Sequence, residues 1–245
     1  MADQEKWTLL IIADISGYTS FMLKNAKTLG HAQAVITALM TAVIRETKFP
    51  LKIAKLEGDA IFLYAAKRNA STWRDELDRV GKGLNRLYTV FTHKAAGLKL
   101  SDNCGCDACR HVDHLTIKFV VHYGTALFYR LGTFDELAGP DVIILHRLLK
   151  NSIGSNEYFL FTEAAFRALG FDECDPLFIG HTENYDDVGT IPIRVRSDLS
   201  ALRFTADGVF AARHSSRWSK MKGMAEKMWA MVTARHRVFA HLVSD

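Results

Sequence analysis

Two carboxylates stand where apolar strands would end. Asp14 closes the run "LLIIA" at 9–13 and is followed by Ile15, Ser16, Gly17, Tyr18 and Thr19. Asp59 sits in "KLEGDAIFLYA", between two apolar segments. A charge at the end of a buried strand is costly unless something compensates it. Two such groups at neighbouring strand ends make an oxygen-ligand site for Mg²⁺ or Mn²⁺, hard cations that also hold phosphates. Around Gly17 and Thr19 the small residues let backbone N–H groups approach phosphate oxygens closely. With two ions the chemistry would be displacement at phosphorus, one ion activating the attacking oxygen and the other neutralising the leaving group. The competing reading is structural, with Asp14 capping the next helix and Asp59 shaping a turn.

A second cluster is softer. "DNCGCDACRHVDH" places Cys104, Cys106 and Cys109 beside His111 and His114. Three thiolates at this spacing, with His111, His114 or the distant Cys174 as a fourth ligand, would hold a structural Zn²⁺. Reduced thiols in a tight turn, or a redox-responsive cluster, are the alternatives. A third feature lies at 212–243, an expected helix carrying Arg213, Arg217, Lys220, Lys222, Lys227, Arg235 and Arg237 against few acids. Its basic amphipathic pattern suits a membrane surface or an acidic partner, or packing on its own domain or a dimer seam.

The elements that must position these groups read as mixed. Residues 7–14 form a run without helical period, short enough for a strand buried on both faces. Helical spacing follows from 21 to 46, and 51–66 reads as a hairpin turning on Gly58. Residues 71–95 carry a helical stripe of Trp73, Leu77, Val80, Leu84, Leu87 and Phe91. Residues 115–131 are expected to be two strands turning near Gly124. A helix at 141–153 follows the Gly139-Pro140 break, then a strand at 157–161, a short helix at 162–169 and a strand at 190–197. This order suggests an α+β fold, a ferredoxin-like antiparallel-rich sheet with helices on one face. The expected division is one domain at 1–200, with a Cys-rich insertion at 102–114, and a basic extension at 201–245.

Composition bounds the partners. The 245 residues are 49% hydrophobic and 24% charged, with a formal net charge of +4. That is ordinary globular composition, and so mild a charge does not imply nucleic acid. No apolar run approaches the ~20 residues of a membrane span, the first residues do not resemble a secretory signal, and crowded cysteines fit a reducing compartment. A soluble cytoplasmic protein is expected.

Four segments carry a family resemblance: "ADISGYTSF", "KLEGDAIFLYA", "VVHYGTALF" and "LAGPDVIILHRL". In order and spacing they resemble the class III nucleotidyl cyclase catalytic domain over residues 7–200, and more closely an uncharacterised cyclase-like bacterial family with a C-x-C-x-x-C insertion. The resemblance implies a nucleotidyl cyclase-like fold and metals on Asp14, Asp59 and the Ile15 carbonyl. It further implies base reading by Lys55 and Glu136, and transition-state stabilisation at the α-phosphate by Arg147. Lys55 tilts the expected substrate toward ATP, since the guanylyl members carry an acid there. The resemblance also implies a homodimer, with Asp14 and Asp59 from one chain meeting Lys55, Glu136 and Arg147 of the other.

Two positions depart from that pattern. Ile143 stands where the family has a ribose-positioning asparagine, and "YDDVGTIPIRV" has no clear counterpart of the lysine that holds terminal phosphates, unless Arg194 or Arg196 serves. Losing one transition-state donor commonly costs ~2.7–4 kcal/mol. The expected activity is conversion of ATP to cyclic AMP and pyrophosphate. The alternative is a silent nucleotide-binding or signalling module of the same fold.

Overall fold

The computed structural model describes residues 4–100 and 107–199. The expected extension at 201–245, its basic helix, and Cys104 and Cys106 lie outside the described residues.

The first strand, β1 (Gln4–Ser16), is the spine. Its residues alternate between two cores. Leu9, Ile11, Ala13 and Ile15 belong to one, and Leu10 and Ile12 to the other. Burial on both faces is why this segment reads as a continuous apolar run rather than an alternating one. β2 (Lys52–Glu57) and β3 (Ala60–Ala66) form the expected hairpin around Gly58 and Asp59, and β3 pairs antiparallel with β1. On the other side β1 pairs antiparallel with β4 (Thr116–Leu131), and β4 pairs in parallel with β6 (Phe159–Thr162).

β7 (Ile179–Tyr185) and β8 (Gly189–Arg196) close the sheet, in the order β2-β3-β1-β4-β6-β8-β7. β5 (Phe134–Ala138) pairs with the distal part of β4. The result is the mostly antiparallel α+β architecture expected from the element order.

Helices α1 (Tyr18–Lys24), α2 (Leu29–Glu46) and α3 (Ala70–Leu100) follow the sequence pattern. Val35, Leu39 and Val43 of α2 and Leu77, Val80, Leu84 and Leu87 of α3 fall at helical spacing and bury against one sheet face. After α4 (Asp107–Arg110), helix α5 (Pro140–Arg147) packs Leu145 on the opposite core, whereas α6 (Glu163–Leu169) returns to the first. Helices on one face alone is therefore corrected: α5 covers the second face. The expected helix at 141–153 also stops early, and its continuation runs as turn and coil to β6.

The largest correction concerns Gly124. It makes no turn; β4 runs through it for 16 residues. A Cβ at this position would lie 2.1 Å from Cγ of Asp141, the second residue of α5. The Asp141 carboxylate rests on the strand backbone, taking the Thr125 N–H at 2.7 Å and facing His122 Nε2 at 2.8 Å. Glycine inside a strand marks such a close approach as readily as a bend. The contact pins α5, and with it His146 and Arg147, to the sheet.

Candidate functional site

β1 carries Asp14 to the end of the sheet, and the β2–β3 turn delivers Asp59 to the same end. The backbone ties them: Ile15 N–H donates to the Asp59 carbonyl at 3.3 Å. Asp14, Ile15, Ser16, Gly17, Tyr18, Thr19 and Asp59 line one open cavity of about 250 Å³. The two carboxylates feel each other. Burial, and then the Asp14 charge, raise the Asp59 carboxyl above its ordinary value, with the Asp59 backbone and Lys118 only partly offsetting them.

Gly17 shapes the loop between them. Its φ is 86°, a left-handed conformation that disfavours a side chain, and a Cβ there would meet the His114 carbonyl oxygen at 2.9 Å. The chain can turn from β1 into α1 at this point only because the residue is bare.

Two cavity residues come from segments not expected to contribute. Lys118 sits on β4 directly opposite Asp14 in register, and its Nζ lies 3.1 Å from Asp14 Oδ2, each side chain 19% exposed. Asn156 lines the far wall. In the sequence, Lys118 is only a polar residue alternating within a strand. Its role becomes visible once the β1–β4 register is known. Arg194 and Arg196, the expected substitutes for the missing phosphate lysine, do not line the cavity. Arg194 pairs with Glu163 at 3.1 Å and lies over the Phe166 ring, and Arg196 donates to the Asp198 carbonyl. Among the described residues, Lys118 is the cation lining the cavity.

Lys55 and Glu136, the pair expected to read the base, form a separate cluster. Lys55 Nζ on β2 reaches Glu136 Oε2 on β5 at 3.4 Å and Glu57 Oε1 at 3.4 Å. Burial pulls the Lys55 ammonium down, but Glu136 and Glu57 outweigh it, and the net shift is upward. Glu57 in turn faces His146 Nε2 at 3.1 Å, while His146 Nδ1 donates to the Val142 carbonyl at 2.8 Å. Arg147 points elsewhere, ion-paired to Asp187 in the turn between β7 and β8. None of Lys55, Glu136 and Arg147 lines the Asp14–Asp59 cavity. Within one chain these residues therefore stay apart from the cavity.

Ile143, in place of an asparagine, is 53% exposed on α5. His122 is engaged at both ring nitrogens, by Asp141 and by Thr162 Oγ1 at 2.9 Å. At the cysteine cluster, His111 stacks on His114 with ring centroids 5.5 Å apart. Cys104, Cys106 and the side chain of Cys109 fall outside the described residues, and with them the expected zinc site.

The donor set at the cavity is hard: two carboxylates whose charges oppose each other and a strand-end backbone. Such a set fits a divalent cation of the Mg²⁺ or Mn²⁺ kind. Among the described residues no three His, Cys, Asp or Glu side chains converge as a metal cage. An ion here would therefore keep several of its waters, as Mg²⁺ commonly does.

A family model described as "Protein of unknown function (DUF2652)" matches residues 36–158, half of the chain. The chain belongs to the DUF2652 family. The uncharacterised protein Rv2561/Rv2562 of Mycobacterium tuberculosis (strain ATCC 25618 / H37Rv) is 37% identical to this DUF2652 member over 131 residues. That match covers 54% of this chain and spans only 58% of the relative.

Among solved structures, the adenylyl cyclase CyaB from P. aeruginosa is similar with a TM-score of 0.61 at 11% identity, covering 81% of this chain and 97% of that one. The guanylyl cyclase Cya2 follows with a TM-score of 0.59 at 12% identity, over 80% and 94%. A class III adenylyl cyclase-like ATP-binding protein from Pseudomonas aeruginosa matches with a TM-score of 0.55 at 14% identity, over 68% of this chain and 35% of that one. At such identities the likeness concerns the fold, which is cyclase-like. No helix among the described residues is long and apolar enough to cross a membrane.

Proposed function

We propose that this DUF2652 member is a nucleotidyl cyclase-like enzyme that converts ATP to cyclic AMP and pyrophosphate at sites shared by two copies of the chain. The observation that carries the reading is the meeting of Asp14 and Asp59, far apart in sequence, in one cavity beside the Gly17–Thr19 loop and Lys118. About 250 Å³ is less than the ~300–1,000 Å³ of a typical small-molecule site, enough for a polyphosphate but not a whole nucleotide. Base and ribose must be received elsewhere, and a second copy's Lys55–Glu136 cluster and Arg147 supply what the cavity lacks.

In this reading Lys118 and the bare backbone at Gly17 orient the polyphosphate, and Lys55 and Glu136 of the partner fix the base edge. Arg147 of the partner offsets charge at the α-phosphate. The ribose 3′-oxygen then forms its bond to that phosphorus as the bond to pyrophosphate breaks, the hydroxyl proton passing to solvent. Divalent ions held by Asp14, Asp59 and the Ile15 carbonyl would lower the barrier by activating the hydroxyl and neutralising the leaving group.

The test is turnover by the full chain with ATP or GTP, each with Mg²⁺ and with Mn²⁺. Cyclic AMP formed by the parent and lost in Asp14→Asn supports the enzyme. Metal-dependent ATP binding without product supports a silent nucleotide-binding module instead, a second reading favoured by Ile143 and by the pairing of Arg147 to Asp187. If ATP neither binds nor turns over, both readings fall, leaving a scaffold that acts through the basic segment at 212–243 on a membrane surface or acidic partner.

A further inference from the structure

α5 sends two consecutive side chains in different directions, His146 toward Glu57 of β2 and Arg147 toward Asp187. The second contact is unusual in what it does not do. The β7–β8 hairpin is already anchored without it. Its strands pair along Ile179–Tyr185, the Glu183 carboxylate takes the Ser152 N–H and hydroxyl at 3.0 and 2.7 Å, and the Tyr185 hydroxyl donates to the Lys150 carbonyl at 3.2 Å. Arg147 and Asp187 are each about half exposed, at 49% and 45%, so packing does not force them together.

A guanidinium is a donor-only fork whose geometry suits a carboxylate or a phosphate. Donors engaged by Asp187 are withheld from any phosphate. Asp187 also lies in the "YDDVG" turn, where it and Asp186 put two acids beside Arg147's end of α5.

We propose that Asp187 is an internal anion occupying Arg147, an autoinhibitory contact that a polyphosphate ligand must displace. The proposal rests on the reading that Arg147 meets phosphate. Affinity for polyphosphate is then set by competition between ligand and Asp187, and the β7–β8 turn becomes a gate on Arg147.

The test measures calorimetric binding of inorganic pyrophosphate to the full chain and to Asp187→Asn, Arg147→Gln, the double variant, and Asp186→Asn as a control for charge alone. Asp187→Asn is expected to bind pyrophosphate about tenfold more tightly, the scale of one charge-assisted contact. That gain should vanish in the Arg147→Gln background, and Asp186→Asn should change affinity less than about twofold. The proposal is overturned if Asp187→Asn binds no more tightly than the parent, if its gain persists without Arg147, or if Asp186→Asn matches it.

Melting temperatures of the four variants within a few degrees of the parent exclude a folding defect. Turnover separates the two ideas. Cyclic AMP production with unchanged Asp187→Asn affinity sinks the latch and spares the cyclase reading. An Arg147-dependent gain in affinity without any turnover does the reverse.

Discussion

Gly124→Ala tests the link between β4 and α5, the helix that carries Arg147. The new Cβ would lie 2.1 Å from Cγ, 2.3 Å from Oδ2 and 2.5 Å from Oδ1 of Asp141. Ordinary contact begins near 3.4 Å, so the carboxylate must retreat by about 1 Å, which breaks its 2.7 Å bond from Thr125 N–H and its 2.8 Å contact with His122. Hydrogen bonds to a charged group contribute ~1.5–3 kcal/mol each. Since the Asp141 side chain is 26% exposed and water recovers part of the loss, the expected cost is about 3–4 kcal/mol. Asp141→Ala alone should cost ~2–3 kcal/mol by leaving the Thr125 N–H and His122 without their acceptor. In that background the clash is gone, and adding Gly124→Ala should cost less than ~1 kcal/mol. Urea unfolding of the four proteins measures this coupling directly. Additive costs would show that Asp141 does not fill the space above Gly124, and the account of why β4 passes through a glycine would fail.

Three further outcomes are expected. The hydrogen bond from His122, opposed by burial and supported by Thr125, holds the Asp141 carboxyl below its usual range. Its contribution is therefore complete above the unfolded-state value near ~4 and disappears as pH falls through the lowered folded value. The stability gap between parent and Asp141→Asn should close as pH falls below the ordinary carboxylate range; a gap that persists undiminished into strong acid refutes the assignment. Lys118→Met should weaken tripolyphosphate binding by about tenfold or more and, by leaving Asp14 without its partner, cost up to ~3 kcal/mol on chemical denaturation. Unchanged affinity would remove Lys118 from the phosphate site. Ile143→Asn, at a half-exposed position, should leave stability within ~0.5 kcal/mol and raise cyclic nucleotide production, whereas unchanged or lower turnover would mean the ribose is not positioned from α5.

What could be read from the chain follows from which signals are local. The unbroken apolar run of β1, the Gly58-Asp59 hairpin and the α2 and α3 stripes are encoded by neighbours within a few residues, and the structure contains each of them. The meeting of Asp14 and Asp59 was legible because each ends or turns a strand whose partner strand lies next to it. Gly124 misled because glycine marks both turns and close approaches, and only the distant Asp141 decides which. β7 was missed because "IGHTENY" is an exposed edge strand with few β-forming residues and no buried alternation. Lys118 and Asp187 gain meaning only through pairing register and hairpin placement, neither of which composition or spacing encodes.

The charge pattern around the three cations gives these separate observations one consequence. Lys118 is held by Asp14, Lys55 by Glu57 and Glu136, and Arg147 by Asp187. Each cation proposed to meet a nucleotide already has a carboxylate partner, so on that reading ligand binding would be an exchange of ion pairs rather than a capture by bare charge. Exchange lowers the net gain, because every new contact replaces one of similar kind. It also changes what divalent ions do for binding. If Asp14 and Asp59 held divalent cations, as proposed, Asp14 would be drawn from Lys118 and its ammonium freed for phosphate, so metal and polyphosphate would each strengthen the other's binding, reciprocally and by the same factor. Among the described residues, the only ion pair of Asp187 is with Arg147 itself. On the proposed reading, Arg147 would have to be released by the ligand itself or by movement of the β7–β8 turn, and that turn would then be the place where activity is controlled.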